Sequence, residues 1–172
     1  MRTLKLFFVL IPLVALISCE KQDDRLSVEK FVRLLKTNKY ENTKIPAFTY
    51  TDIDKLLEYR DAKNIIRKYP RNDLSSAFHV ETELGIYILW AIEAIRIRTI
   101  TGYAEMFPSL EPLLIPRNQE DFELGYDPLV HQQEAHQKAS NAYYTWWTEN
   151  KVKNLTDVMG IDPLENTKYK WY

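Results

Sequence analysis

Two histidines on one predicted helix, His131 and His136, come nearest to a metal-binding motif. A helical zinc site places its two histidines four residues apart, so that both rings lie on one face. Here the spacing is five, which turns the second ring about 140° away from the first. We therefore predict two histidines on the helix surface and no metal site.

A charged pair stands inside the most apolar segment of the chain. Glu93 and Arg96 are three residues apart, a spacing at which helical side chains can form an ion pair. Because a buried charge has to be paired, we favour a structural ion pair that fixes the helix, which Arg98 and Glu83 could join. The alternative is a polar floor to a ligand pocket, so both residues are candidate contacts for a ligand or partner.

Aromatic residues cluster further along the chain, at Tyr143, Tyr144, Trp146 and Trp147. Consecutive helical residues point about 100° apart, so one tryptophan should enter the core and the other should lie at its edge. If an aromatic side chain from the tail, Trp171 or Tyr172, lay beside the outer ring, a glycan or peptide groove would form there. Tyr144 and Trp147 are the candidate contacts for such a ligand.

Several chemistries lack their motifs. The four glycines, Gly85, Gly102, Gly125 and Gly160, form no phosphate loop, dinucleotide fingerprint or nucleophile elbow. A hydrolase would need two of Glu81, Glu83 and Glu93 to converge, and no spacing singles out such a pair. We predict no catalytic residue, no cofactor and no metal, and we favour a protein that is not an enzyme.

The only cysteine, Cys19, ends an apolar run that follows Arg2 and Lys5. A basic start, an apolar segment and a small residue before the cut are the parts of a secretory signal, and this segment is too short to span a bilayer. The residues Leu16-Ile17-Ser18-Cys19 resemble the lipobox of bacterial lipoprotein precursors. That resemblance implies removal of residues 1–18 and acylation of Cys19.

The lipobox resemblance also implies a location. Lipobox cysteines carry a diacylglyceryl group and usually a third chain such as palmitate, and two or more chains anchor a protein stably. Residues 19–26 are charged and without periodicity, so we predict a short tether. We expect a protein of the cell envelope, anchored to the outer membrane on its periplasmic face or at the cell surface.

Length and charge limit the partners. Residues 27–172 are enough for one domain with its own core. Loss of Arg2 and Lys5 with the signal lowers the formal net charge from −1 to −3. A weakly acidic body argues against nucleic acid, whose phosphates attract clustered Lys and Arg. A basic stretch does occur at Arg60, Lys63, Arg67, Lys68 and Arg71, which we interpret as a solvated helix face, with orientation on anionic lipid as the alternative.

Periodicity places these residues on helices. Ser27 caps a first helix that should run to about Tyr40, Thr51 and Asp54 resemble a capping box, and Asp61 can cap a short helix through Ile65, Ile66 and Tyr69. Residues from about 80 to 101 are apolar nearly all round, which predicts a central helix that Gly102 ends. A partly irregular crossover with a short helix over 119–124 should follow.

The C-terminal part should also be helical. Asp127-Pro128 is a strong start signal for a helix to about residue 150, whose alanines let it approach the central helix closely. A last helix should run from Leu155 to Met159, and the aromatic tail should pack back on the body. We therefore predict an all-α fold, a compact multi-helix bundle or an irregular stack of helical hairpins around the pair 80–101 and 128–150.

The body contains several short motifs: Pro70-Arg71-Asn72 with Ser75-Ser76, Leu84-Gly85 with Ile88-Leu89-Trp90, Ile92-Glu93, Ile95-Arg96, and Ala142-Tyr143-Tyr144 with Trp146-Trp147. Together these motifs resemble a family of uncharacterised lipoproteins from anaerobic gut bacteria. The family has no assigned activity, so the resemblance implies export and a helical body and transfers no site residue.

These observations together predict a membrane-anchored, non-enzymatic module that contacts another envelope protein. The alternative is a lipoprotein that binds a glycan or peptide near Trp147.

Overall fold

The computed structural model describes residues 26–75, 81–103, 106–118 and 128–172, with only the backbone for 128–131. The helices in these ranges are α1 (Val28–Lys36), α2 (Ile53–Leu57), α3 (Leu84–Thr101), α4 (Pro128–Asn150) and α5 (Leu155–Gly160). The strands are β1 (Ile65–Ile66), β2 (Thr82–Glu83), β3 (Leu114–Pro116) and β4 (Tyr169–Trp171). Residues 1–18, Cys19, most of the tether and the predicted helix over 119–124 lie outside the described residues.

The prediction of an all-α fold is wrong, because two small antiparallel sheets complete the domain. Strand β1 pairs with β2 just before α3, and β3 pairs with β4 through the register Leu114 to Trp171. The fold is therefore mixed. Helices form its centre, and two separate sheets have two strands each.

The first sheet replaces the short helix predicted through Ile65, Ile66 and Tyr69. Ile65 is 45% exposed whereas Ile66 is fully buried, which is the alternation of a strand. Asp61 does not cap a helix, because its carboxylate accepts a hydrogen bond of 2.5 Å from the Ser140 hydroxyl on α4. Two β-branched residues followed by Pro70 suit an extended segment better than a helix.

Helix α3 lies at the centre of the core. Every residue from Leu84 to Arg96 is buried, as expected for a helix with neighbours on all sides. Gly102 ends the helix in the left-handed conformation at φ 75°, and its N–H donates to the Arg98 carbonyl. The predicted central helix and its glycine cap are thus confirmed.

Helices α4 and α5 pack against α3. The small buried side chains of Ala135 and Ala139 face inward from α4, and Val158 and Met159 do so from α5. The predicted helices at 128–150 and 155–159 are confirmed, with α5 ending at Gly160. The tail packs back on the body as predicted, since it forms β4.

Helices α1 and α2 differ from the prediction at their ends. Ser27 caps α1 as expected, but the helix stops at Lys36 because Asn38 takes the left-handed conformation at φ 53°. The capping box before α2 uses Thr49 and Asp52, two residues earlier than predicted, where the Asp52 carboxylate accepts from the Thr49 N–H at 2.8 Å. No helix among the described residues has the length and apolar character needed to cross a membrane.

Candidate ligand-binding groove

Two open clefts are both lined by residues of the segment 40–47 and share Asn42, and we call them together the basic groove. The first has a volume of about 470 Å³ and the second about 290 Å³. The first is lined by Tyr40, Glu41, Asn42, Thr43, Arg67, Lys68, Tyr69, Pro70, Arg71 and Asp73. The second is lined by Asn42, Lys44, Ile45, Pro46, Ala47, Arg98, Met106 and Phe107.

Asn38 positions the basic wall of the first cleft. Its side-chain oxygen accepts hydrogen bonds from the backbone N–H groups of Arg67 at 2.8 Å and Lys68 at 3.2 Å. Asparagine adopts the left-handed conformation more readily than most residues, so it can turn the chain here while bonding both amides. The end of α1 therefore fixes the segment after β1 that carries the cations.

Arg71 is held by an aromatic ring instead of a carboxylate. Its guanidinium lies 4.6 Å from the centre of the Tyr69 ring and donates to the Tyr69 hydroxyl at 3.1 Å. Burial raises the pKa of Tyr69 to about 12, although the Arg71 charge acts in the opposite direction, so the hydroxyl stays neutral. Within the described part of the chain, neither Arg71 nor Lys68 forms an ion pair.

Arg98 is, with Lys44, one of the cations that line the second cleft. Its Nε donates to the Ala94 carbonyl at 3.0 Å and its Nη1 to the Pro46 carbonyl at 3.3 Å. Its Nη2 is buried without a hydrogen-bond partner among the described residues. Burial lowers the pKa of Arg98, because it disfavours the charged form of the guanidinium.

Cations outnumber carboxylates in the lining of the basic groove. The cations are Lys44, Arg67, Lys68, Arg71 and Arg98, and the carboxylates are Glu41 and Asp73. Arg67 is also paired with Glu81 at 2.9 Å, on the exposed surface. The excess of cations beside the apolar side chains of Ile45 and Phe107 suits an anionic group attached to an apolar one.

The predicted pair Glu93 and Arg96 forms, but inside the core. Arg96 Nη2 lies 2.6 Å from Glu93 Oε1, and both side chains are at most one-tenth exposed. The Arg96 Nη1 donates to the Met159 carbonyl at 3.0 Å, which ties the pair to α5. Burial would lower the pKa of Arg96, but hydrogen bonds and charge from Glu93 outweigh it and raise that pKa. Neither residue lines the basic groove, and Arg98 does not join the pair.

Tyr144 and Trp147, which were predicted to contact a ligand, each contact different residues of the fold. Trp147 is 5% exposed, and its Nε1 donates to the Asp54 carboxylate at 2.9 Å. Tyr144 is half-exposed under the Arg60 guanidinium, 4.4 Å from its ring centre. Both Trp146 and Trp147 are buried, so the prediction that one lies at the edge is wrong.

Trp171, the tryptophan of the C-terminal tail, contacts the ring of Tyr143. Trp171 donates from Nε1 to the Tyr143 hydroxyl at 2.9 Å. The candidate residues Glu93, Arg96, Tyr144 and Trp147 are therefore not gathered in one site, and Cys19 lies outside the described residues.

His136 is buried, contrary to the prediction of a surface histidine. Its Nε2 donates to the Arg60 carbonyl at 2.6 Å, and its Nδ1 meets Glu83 and the Lys63 ammonium. Gly85 lies against the same ring, and a Cβ there would collide with the Arg60 carbonyl and the imidazole. The side chain of His131 lies outside the described residues. No group of three or more His, Cys, Asp or Glu in the described ranges is placed to hold a metal ion.

Sequence reasoning noticed the cations of the first cleft but missed the groove. Arg67, Lys68 and Arg71 stood out as a basic stretch, whereas Lys44 and Arg98 reach the same surface only through the tertiary fold. Arg98, a third charged residue close to the end of the mostly apolar helix α3, was the available signal.

Comparison with known proteins gives one match. A family model described as "Domain of unknown function (DUF4943)" matches residues 22–172. No curated protein and no solved structure matches the chain.

Proposed function

The chain belongs to the DUF4943 family, and we propose that it is a lipid-anchored protein of the cell envelope whose domain binds an acidic segment of an envelope partner protein in the basic groove. On this proposal the domain is an interaction module and not an enzyme. The observation that carries it is the excess of cations in the groove, where Lys68 and Arg71 have no carboxylate partner in the described part of the chain.

The anchor in this proposal is Cys19. The resemblance of Leu16-Ile17-Ser18-Cys19 to a lipobox supports it, as does the charged segment that follows. Eight extended residues reach at most about 29 Å, so the start of α1 would stay close to the headgroups. Helix α1 adds nine residues before the turn at Asn38, and the groove would therefore face partners that share the membrane.

Both parts of the groove contribute to the binding we propose. Lys68 and Arg71 attract carboxylates and speed the encounter, while Ile45 and Phe107 accept an apolar side chain of the same segment. Exposed charges are screened by salt, so the affinity should fall as ionic strength rises.

Charge reversal tests the groove. We expect Lys68→Glu with Arg71→Glu to abolish binding of a synthetic Glu- and Leu-containing peptide, measured by fluorescence anisotropy on the full chain in detergent. The matched control, Lys30→Glu with Lys138→Glu, makes the same charge change at exposed positions outside the groove and should bind normally. A peptide with Gln in place of Glu should bind at least 10-fold more weakly.

Two results would contradict the proposal. Equal binding by both double variants would show that the groove is not the site. Binding to anionic vesicles but not to the acidic peptide, lost only in the groove variant, would assign the groove to lipid headgroups. The anchor has its own test, because mass spectrometry of the mature protein should show an acylated N-terminal Cys19, and an unmodified residue would refute it.

A further inference from the structure

A third cleft lies between α4 and the segment 161–167, with a volume of about 370 Å³. Its lining includes Asn141, Thr145, Trp146, Glu149, Asp162 and Asn166. The lining contains no lysine or arginine, in contrast to the basic groove. We propose that this cleft binds an uncharged, polyhydroxylated ligand of the sugar class.

A row of polar side chains on α4 forms one wall. Asn141, Thr145 and Glu149 are spaced by four residues, so they lie on one face of the helix about 6 Å apart. All three are exposed, and Asn166 faces the same cleft from the opposite wall. Their side chains form no hydrogen bond with any residue that the structure describes, so their donors and acceptors are available to a ligand.

The groups around this row are already fixed. Asp162 accepts from the Leu164 N–H and from Arg117, both at 2.8 Å. The Trp146 indole donates to the Val158 carbonyl at 3.1 Å. A ligand would therefore meet surrounding groups that are held in place, whereas the exposed row on α4 becomes ordered on binding.

The composition of the lining selects the ligand class. Two amides and a hydroxyl both donate and accept, as neighbouring hydroxyl groups of a sugar require, and the Glu149 carboxylate accepts from two hydroxyls at once. Asp162 and Glu149 would repel an anion. Asp162 is also paired with Arg117, which leaves a single carboxylate, too little to favour a cation.

The geometry also indicates the size of the ligand and the affinity with which it binds. The row from Asn141 to Glu149 extends about 12 Å, which suits two linked sugar rings better than one. Trp146 is only 4% exposed, so it offers an edge and not a stacking face. Binding by hydrogen bonds that compete with water should be weak, with a dissociation constant on the order of 1 mM.

The test is isothermal titration calorimetry on the full chain in a detergent without a sugar headgroup. The probes are lactose, cellobiose, maltose and N,N′-diacetylchitobiose at about 10 mM, ten times the expected dissociation constant. We expect at least one to bind, and Asn141→Ala to weaken it at least 10-fold. Glu149→Gln should bind the sugar more tightly than Glu149→Ala, because the Gln amide can still form hydrogen bonds with hydroxyl groups. A cation, in contrast, would not be held by the amide.

The controls separate this site from the basic groove. Asn42→Ala and the double variant Lys68→Glu with Arg71→Glu should leave sugar binding unchanged, and Asn141→Ala should leave binding of the acidic peptide unchanged. The altered positions 141 and 149 are exposed, and circular dichroism should confirm that each variant is folded. The inference is overturned if none of the four disaccharides binds, or if Asn141→Ala has no effect on the one that does.

Discussion

The hydroxyl of Tyr143 donates a hydrogen bond of 2.7 Å to the carboxylate of Glu93. This contact joins α4 to α3 in the middle of the core. Arg96 extends it to the Met159 carbonyl on α5, and Trp171 extends it to β4. One polar network thus connects four elements, α3, α4, α5 and β4.

Removing the carboxylate should destabilise the domain strongly. Glu93→Ala leaves the Arg96 guanidinium buried and unpaired, and we expect the free energy of unfolding to fall by about 3–5 kcal/mol. Tyr143→Phe removes this hydrogen bond to a charged group and also the acceptor of the Trp171 indole, and it should cost about 1.5–3 kcal/mol. Urea unfolding followed by tryptophan fluorescence measures both. A loss below 1 kcal/mol for Glu93→Ala would show that water reaches the pair.

A methyl group at Gly85 should not be tolerated. Gly85→Ala places a Cβ against the Arg60 carbonyl, which is backbone and cannot turn away, so we expect a loss of about 1–3 kcal/mol. Gly160→Ala is the matched control, since its Cβ would meet no atom within 4 Å, and it should stabilise the protein by about 0.4–1 kcal/mol. Thermal unfolding distinguishes the two, and equal melting temperatures would contradict the close packing at Gly85.

Asn38 should be replaceable only by a residue that keeps its bonds. Asn38→Ala loses two hydrogen bonds to the segment of Arg67 and Lys68 and strains a left-handed residue, so we expect a loss of about 2–3 kcal/mol. Compared with the alanine variant, Asn38→Gly removes the backbone strain but still lacks the two hydrogen bonds. Asn38→Asp keeps an acceptor oxygen and should be the least destabilising of the three. Chemical denaturation ranks the three variants, and a glycine variant as stable as the wild type would show that the bonds contribute nothing.

Buried tyrosines should make the fold sensitive to alkali. Burial raises the pKa of Tyr40 and of Tyr69 to about 12, above the value near 10 in the unfolded chain. The unfolded state then loses protons first, so the contribution of these two tyrosines to stability is constant below about pH 10 and falls between pH 10 and 12. Urea midpoints across this range measure the fall.

Substitution of single tyrosines tests which residue causes the loss of stability at alkaline pH. Tyr40→Phe should make the fall shallower, because phenylalanine cannot ionise. Tyr50→Phe alters an exposed ring and should leave the slope as in the wild type. An identical slope in all three proteins would show that Tyr40 does not contribute to the fall.

Periodicity predicted the long helices because their burial pattern is local. The uniformly apolar run of α3 and the alanine spacing of α4 are visible in a window of a few turns. Strands of two or three residues have no comparable period. Pairing of Leu114 with Trp171 depends on a partner 57 positions away, so the second sheet could not be read from either segment alone.

The same distinction between local and distant signals applies to the candidate sites. The ion pair of Glu93 and Arg96 was predictable because helical spacing alone brings the two together. The basic groove was not, since Lys44, Lys68 and Arg98 come from three segments that only tertiary packing assembles. His136 was misjudged for a similar reason, as its partners Lys63 and Glu83 are more than fifty residues away.

The sheet that joins Leu114–Pro116 to Tyr169–Trp171 governs when the domain can finish folding. Without β4, strand β3 has no pairing partner and the Tyr143 hydroxyl lacks the hydrogen bond from the Trp171 indole. A chain truncated before residue 169 should therefore fail to close natively and should remain open to protease.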